Sequence, residues 1–453
     1  MTALDSWSED AYFPEAQSRS IDMGTTNLGP LWHSVSVRWG HSMHTMCPYQ
    51  GMFPPKLAHY FIQRFSMPGA TVIDPFSGRG TTVLQARAEG RIAIGNDLNP
   101  LAYVLSKAKV RPPRWDQVCR VLDGLERDFR ATKHPQADVV PDIAMLYHPH
   151  TLKQICFLRD WLLSSSMTSW DVSKLMIAGT MAGILHGGVR VDGSSQYLSI
   201  SMPNTFSMSP SYVRKYIDDY ALDAPTQNVF ARLREKLARL YADDAEGPPG
   251  RVSHRDAIRF LTSSALEGKA DLLLTSPPYL KVVNYGTSNW IRLWWLGIED
   301  VGRQSGSGRR RLDAALDHGH GYEAYRSFIL RVLMGVESAL APDGVAAIVI
   351  GDVASPGEQS LALAGQLWSD LGDEVGLDLL YFIEDDLPPQ NKVSRIWGDT
   401  KGQATDRDCV LLLAKPEATP IDKADVTWGE PYRDAGPDAA HDLLRNRIMG
   451  QSE

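Results

Sequence analysis

TVIDPFSGRGTTVLQARAEGRIAIGND, residues 71–97, is the stretch on which the fold turns. Thr71 to Phe76 is a short apolar run that empties into a turn containing Gly78 and Gly80. Thr81 to Ala88 then reads as a helix, and Arg91 to Asp97 as a second strand. Strand, glycine turn, helix and strand together form the repeating unit of an open, largely parallel sheet. Ligands bind such sheets beyond the carboxyl ends of the strands, where this turn lies. The glycines let backbone approach a ligand closely, and the first helical turn aims unpaired amides at it. The spacing lacks the third glycine of a dinucleotide fingerprint, which disfavours a nicotinamide cofactor. For a lone GxG the better reading is a tight turn, with Asp97 as a helix cap. The placement of Asp74, Phe76 and Asp97 at matching strand ends shifts the reading toward a ligand site.

Working outward, the next informative junction is TSPPY, Thr275–Tyr279, at the end of the apolar run Ala270 to Leu274. Ser276 offers a hydroxyl and Pro277 a carbonyl, both held still by the rigid Pro277-Pro278 pair, and Tyr279 offers an aromatic face. This set suits a flat ring bearing an amino group. Each acceptor can take one amino hydrogen and draw the nitrogen toward tetrahedral geometry, which frees a lone pair otherwise delocalised into the ring. A plain turn after a strand is the competing reading, and the glycine motif upstream weighs against it. None of Cys47, Cys119, Cys156 and Cys409 adjoins these motifs, and Cys409 falls inside a strand, so attack through a thiol is not expected.

The rest of the chain supplies a frame for these two loops. Pro54 to Phe65 has helical spacing of Leu57, Phe61, Ile62 and Phe65, with Pro54-Pro55 at its start. Further strands are expected at Arg251 to Asp256, Gly344 to Asp352, Leu377 to Glu384 and Asp408 to Lys415. Between them, residues 111–250 read as a mainly helical insertion, with Val118, Leu122, Leu125 and Phe129, and Val229, Leu233, Leu237 and Leu240, at helical spacing. The expected division is an arm at 1–35, a first core block at 36–110, the insertion at 111–250, a second core block at 251–416 and a polar tail at 417–453. The 453 residues are 43% hydrophobic and 22% charged, as in an ordinary globular protein. The four scattered cysteines form no CxxC pair and suggest neither a disulfide framework nor a zinc ribbon. The acidic, polar amino terminus lacks a signal pattern, and no apolar run approaches the roughly 20 residues of a membrane span. A cytoplasmic location is the expectation.

The matching segments FPPKLAHYFIQRF, DPFSGRGTT, NDLNP around Asp97, LLLTSPPY and GVAAIVIGDV resemble the amino-group DNA methyltransferases, the family that modifies cytosine N4 or adenine N6. The resemblance covers the two core blocks, about half of the chain. It implies a Rossmann-like methyltransferase fold of class α/β, mostly parallel with the last strand antiparallel, and a helical inserted domain. It also implies S-adenosylmethionine as cofactor, held by Asp74, Pro75, Phe76, Gly78, Gly80, Thr81, Thr82, Asp97, Leu98, Asp256 and Thr275. Asp97 is suited to the ribose hydroxyls, and Asp256 to the adenine amino group. The implied catalytic residues are Ser276, Pro277, Pro278 and Tyr279. Cofactor motif, insertion, then catalytic motif is the alpha-type order, in which the intervening segment reads DNA sequence. Serine at the first tetrad position leans toward cytosine N4. Adenine N6 stays open, since a hydroxyl or a carboxylate accepts from either amino group. RNA base methylation and a non-catalytic DNA-binding subunit are the remaining alternatives.

Double-stranded DNA is then the expected partner, with a cognate restriction endonuclease as a candidate second one. A net charge of −8 means that phosphate contacts must come from local basic segments. The candidates are Arg309, Arg310 and Arg311 in GRQSGSGRRR, Lys392, Arg395 and Lys401 in a second loop, and Arg190 in the insertion. The simplest reading of GRQSGSGRRR is a solvated linker. Asn284 and Tyr285 are further site candidates, whereas Trp290, Trp294 and Trp295 read as core. His41, His44 and Cys47 have a metal-like spacing without a fourth ligand, so no metal is expected.

Overall fold

The structure is a computed structural model and describes residues 39–49, 51, 54–134, 138–188, 196–202, 209–244, 246–278, 285–298, 321–351, 363–386, 407–423, 426 and 428. Its centre is a seven-stranded sheet in the order β3-β2-β1-β4-β5-β7-β6. The strands are β1 (Thr71–Asp74), β2 (Ile92–Asn96), β3 (Arg251–Ser253), β4 (Ala270–Thr275), β5 (Leu340–Gly351), β6 (Asp378–Asp386) and β7 (Arg407–Ala414). The pairs β1–β2, β2–β3, β1–β4 and β4–β5 are parallel, and β7 runs antiparallel to both of its neighbours. This is the α/β architecture expected from the sequence, with the final strand inserted in the opposite direction.

Alternation along the strands buries both faces. Val72, Leu272, Leu274, Val345 and Ala347 pack on one side with Leu57 and Phe61 of α1 (Pro55–Phe65) and Val83 of α2 (Thr81–Ala88). Ile73, Leu273, Ala346 and Ile348 face the other side.

Helices α3 (Pro100–Val110), α4 (Trp115–Ala131), α5 (Pro149–Leu163), α6 (Val172–Ala182), α7 (Pro210–Tyr220) and α8 (Val229–Leu240) follow β2. Asn99 caps α3 by accepting from the Leu101 amide at 3.0 Å, with Pro100 in the first turn, so NDLNP is a helix start. The α4 to α8 segment shares a third core with α3 and with α10 (Trp290–Trp295), where Trp290 and Trp295 are fully buried. Between them in the chain, the short α9 (Ala257–Leu261) follows β3, and α11 (Tyr322–Ala339) and α12 (Leu363–Leu371) pack on the Ile73 side of the sheet.

Candidate active site

The strand order reverses at β1: β2 and β3 lie to one side of it and β4 to the other. Ligand crevices of open sheets form at such a point. Val72 lies opposite Leu272 and Ile73 opposite Leu273 in parallel register, so the loops that follow Asp74 and Thr275 leave the sheet from the same end. The glycine loop and the Ser-Pro-Pro segment therefore emerge side by side, although two hundred positions separate their strands in the sequence.

The glycine loop is fixed by its own polar atoms. Ser77 donates its hydroxyl to the Asp74 carbonyl at 2.9 Å and accepts from the Asn96 amide at 3.0 Å. The Asn96 side chain donates to the Pro75 carbonyl at 3.1 Å. Gly78 and Gly80 adopt φ of +51° and +81°. A Cβ on Gly80 would meet Ser106 Cα at 2.9 Å, so glycine serves there both for conformation and for contact with α3. From beneath, α3 takes two loop carbonyls: Ser106 Oγ donates to Gly78 O at 3.0 Å and the fully buried Lys109 donates Nζ to Arg79 O. Burial pushes the Lys109 ammonium well below its ordinary pKa, with the Arg79 charge adding to the effect.

Asp97 follows β2 directly. Its Oδ2 accepts from the Gly78 amide at 2.8 Å and its Oδ1 from the Asn99 amide at 2.8 Å. Burial raises its pKa to about 7, against the opposing pull of those amides. Asp74 is likewise raised to about 6 by burial, with the Thr275 and Thr82 hydroxyls and the Phe76 amide pulling it down. The Leu98 amide is also drawn to this carboxylate, which still keeps acceptor capacity beyond its amide partners for a ribose hydroxyl. Leu98, beside it, is 37% exposed and offers an apolar surface for a ring. The first turn of α2, with Gly80 at its cap and no capping side chain, presents amides beside the same loop. These residues fit a nucleoside cofactor with a charged amino-acid tail.

The remaining candidates divide by location. Thr81 and Thr82 open α2, and both are buried. Phe76 packs edge-on against Phe328 of α11, with ring centroids 5.9 Å apart. Asp256 lies three residues past the end of β3 rather than on the strand, and its carboxylate caps α9 by accepting from the Arg259 amide at 3.0 Å. Thr275 is fully buried and bonded to Asp74. Ser276 and Pro278 are half-buried, and Pro277 is buried. Tyr279, Asn284, Arg190, Arg309, Arg310, Arg311, Lys392, Arg395 and Lys401 lie outside the described residues.

Sequence reasoning missed Tyr49. Its hydroxyl accepts from Asn99 Nδ2 at 3.1 Å, and its ring lies 3.5 Å from where a Gly78 Cβ would be. The only sequence signal is an aromatic residue after Pro48, a few positions before the α1 prolines. Within the HSMHTMC segment, His41 Nε2 is bonded to Asp244 O and His44 Nε2 to Gln85 Oε1. Among the described residues no group of His, Cys, Asp or Glu is arranged to hold a metal, and no helix is long and apolar enough to cross a membrane.

Residues 5–107 match the family model of N6/N4 methyltransferases, described as DNA methylase. The type II methyltransferase M.BsoBI of Geobacillus stearothermophilus is 35% identical over 289 residues, covering 59% of this chain and 55% of that protein. The type II methyltransferase M.MjaII of Methanocaldococcus jannaschii is 38% identical over 80 residues, covering 18% of this chain and 15% of that one. The chain thus spans about half or less of the length of these curated relatives. Among solved structures, an rRNA methyltransferase from Streptomyces viridochromogenes aligns over 84% of this chain and 91% of its own at 13% identity, with a TM-score of 0.30. That likeness is too slight to carry an argument.

Proposed function

We propose that this chain is an amino-group DNA methyltransferase, a reading supported by the match of residues 5–107 to the family model and by the type II relatives, and that it methylates the exocyclic N4 of cytosine in duplex DNA with S-adenosylmethionine as donor. The observation that carries this reading is the parallel pairing of β1 with β4, which sends the glycine loop and Ser276–Pro278 out of the sheet together. The cofactor supplies an electrophilic sulfonium methyl. Asp97 would accept from its ribose hydroxyls, the α2 amides would hold its charged tail, and Leu98 would offer its ring an apolar surface.

On the acceptor side, the Ser276 hydroxyl and the Pro277 carbonyl each take one hydrogen of the target amine. Two fixed acceptors turn the nitrogen lone pair out of conjugation and toward the methyl carbon, and their preorganisation means that little rearrangement is needed at the moment of transfer. Tyr279 stacks on the base, which leaves the duplex at a cost of a few kcal/mol. The amine gains a carbon and releases one proton, with no covalent enzyme intermediate. Serine rather than aspartate at position 276 is what favours cytosine over adenine. Phosphate contacts are assigned to Arg309, Arg310, Arg311, Lys392, Arg395, Lys401 and Arg190, and sequence reading to the helical segment 111–250. A cytoplasmic modification role beside a cognate restriction endonuclease accords with the type II names of the relatives.

The test is incubation with methyl-labelled cofactor and either duplex DNA or RNA, followed by digestion and mass spectrometry of the nucleosides. N4-methylcytosine from DNA is expected. N6-methyladenine would correct the base, labelled RNA alone would correct the substrate class, and no labelled nucleoside from either would overturn the reading.

A further inference from the structure

Thr275 precedes the acceptor residues, and its side chain is buried within the fold. Its fully buried Oγ1 donates to Asp74 Oδ1 at 2.6 Å, and the same oxygen accepts from the Phe76 amide at 3.1 Å. One carboxylate oxygen thus holds the amide that opens the cofactor loop and the hydroxyl that opens the acceptor segment. A second contact crosses the same seam: Thr82 Oγ1, in the first turn of α2, lies 3.3 Å from the Leu274 carbonyl and also faces the Asp74 carboxylate. These side chains take over where the β1–β4 register, paired at Val72–Leu272 and Ile73–Leu273, gives way to two diverging loops.

We propose that Asp74 and Thr275 form a latch that sets the distance between the methyl donor and the Ser276 and Pro277 acceptors, acting as positioning residues. This rests on the reading above that both loops serve one transfer. The chemistry of the bond suits the task. A hydrogen bond to a carboxylate is shorter and stronger than one between neutral groups, and both partners are shut off from water that would compete for it. In-line transfer is sensitive to donor–acceptor spacing, so a displacement of about 1 Å can cost on the order of 100-fold in rate. Both side chains of the latch are buried and bonded to each other, so its loss is expected to act on the rate of transfer and to leave cofactor affinity in place.

The experiment compares wild type, Thr275→Val and Thr275→Ser for single-turnover methyl transfer to DNA and for cofactor Kd by equilibrium dialysis. Valine keeps the volume and removes the donor, while serine restores the donor. The expected result is a fall of about 100-fold in transfer for the valine variant, with cofactor Kd within roughly twofold, and recovery to near the wild-type rate for serine. Should the valine variant not fold, Thr275→Ala, which leaves room for a water beside Asp74, is measured in its place and is expected to show the same split. An active wild type matched by an equally active Val or Ala variant overturns the latch alone. So does a parallel loss of cofactor affinity, or a serine variant no faster than valine. A wild type that labels neither DNA nor RNA overturns the function on which the latch rests.

Discussion

Asp97 receives the amides of Gly78 and Asn99 on its two oxygens, and burial raises its pKa to about 7. The folded protein therefore retains this proton at pH values where the unfolded chain has lost it. The stability contributed by the group is full below the ordinary aspartate value and is lost as pH rises through about 7. Cofactor binding runs the other way, because a ribose diol donates more strongly to a carboxylate than to a carboxylic acid. Cofactor affinity is expected to rise about tenfold from pH 6 to pH 8, following ionisation of a group titrating near 7, and to be flat in Asp97→Asn. Isothermal titration across that range checks it, and a flat wild-type profile counts against Asp97 as the ribose acceptor. At Gly80, alanine would meet Ser106 at 2.9 Å while also adopting φ of +81°. Gly80→Ala should cost about 1–3 kcal/mol from the left-handed conformation alone, and more from the contact. Gly268→Ala has φ of +63° and open space around its Cβ, and so isolates the backbone part when both variants are unfolded in urea.

Helix α3 supports the glycine loop from below through Ser106 and Lys109, one turn apart on one face. Lys109 carries a pKa held well below normal by burial, so the unfolded chain binds its proton more readily than the folded one. Stability should therefore rise with pH toward the ordinary lysine value, and Lys109→Met should flatten that rise in urea unfolding while weakening cofactor binding. A methionine variant with unchanged pH dependence contradicts a buried, proton-poor Lys109. Support of this kind was not legible in LAYVLSKAKV, because only the packing of α3 beneath the glycine loop buries Lys109 against the Arg79 carbonyl. The elements that surround the loop were legible: the helix at Thr81–Ala88 has the bounds that the sequence suggests, and the strand read at 91–97 forms over Ile92–Asn96. Asp256 shows the opposite case. A strand read through to 256 closes at Ser253, because the chain turns into α9 and its aspartate is taken as the cap. Thr275 is named with the candidate site residues from the sequence, but its bond to Asp74 was not legible there, since only the β1–β4 pairing brings the two together.

At the scale of the molecule, the helices between β2 and β3 share a core with elements outside their own segment. Leu122, Ile155, Leu175 and Leu233 cluster with Leu101 and Leu105 of α3 and with Trp290 and Trp295 of α10. A shortened chain that joins residue 112 to residue 249 would expose that apolar surface and is expected not to fold, as judged by limited proteolysis. A protease-resistant product would mean instead that the helical segment is a detachable module. The open-sheet fold was readable because strand and helix periods alternate clearly in both core blocks, whereas the attachment of the helical segment depends on contacts between residues far apart in sequence. Transfer of the proposed kind requires the two loops at β1 and β4 to form one site. Ser276→Ala tests this most directly when methyl transfer to DNA and equilibrium binding of S-adenosylmethionine are measured on the same protein. Loss of transfer with cofactor binding retained is the expected result, and turnover equal to wild type would contradict it.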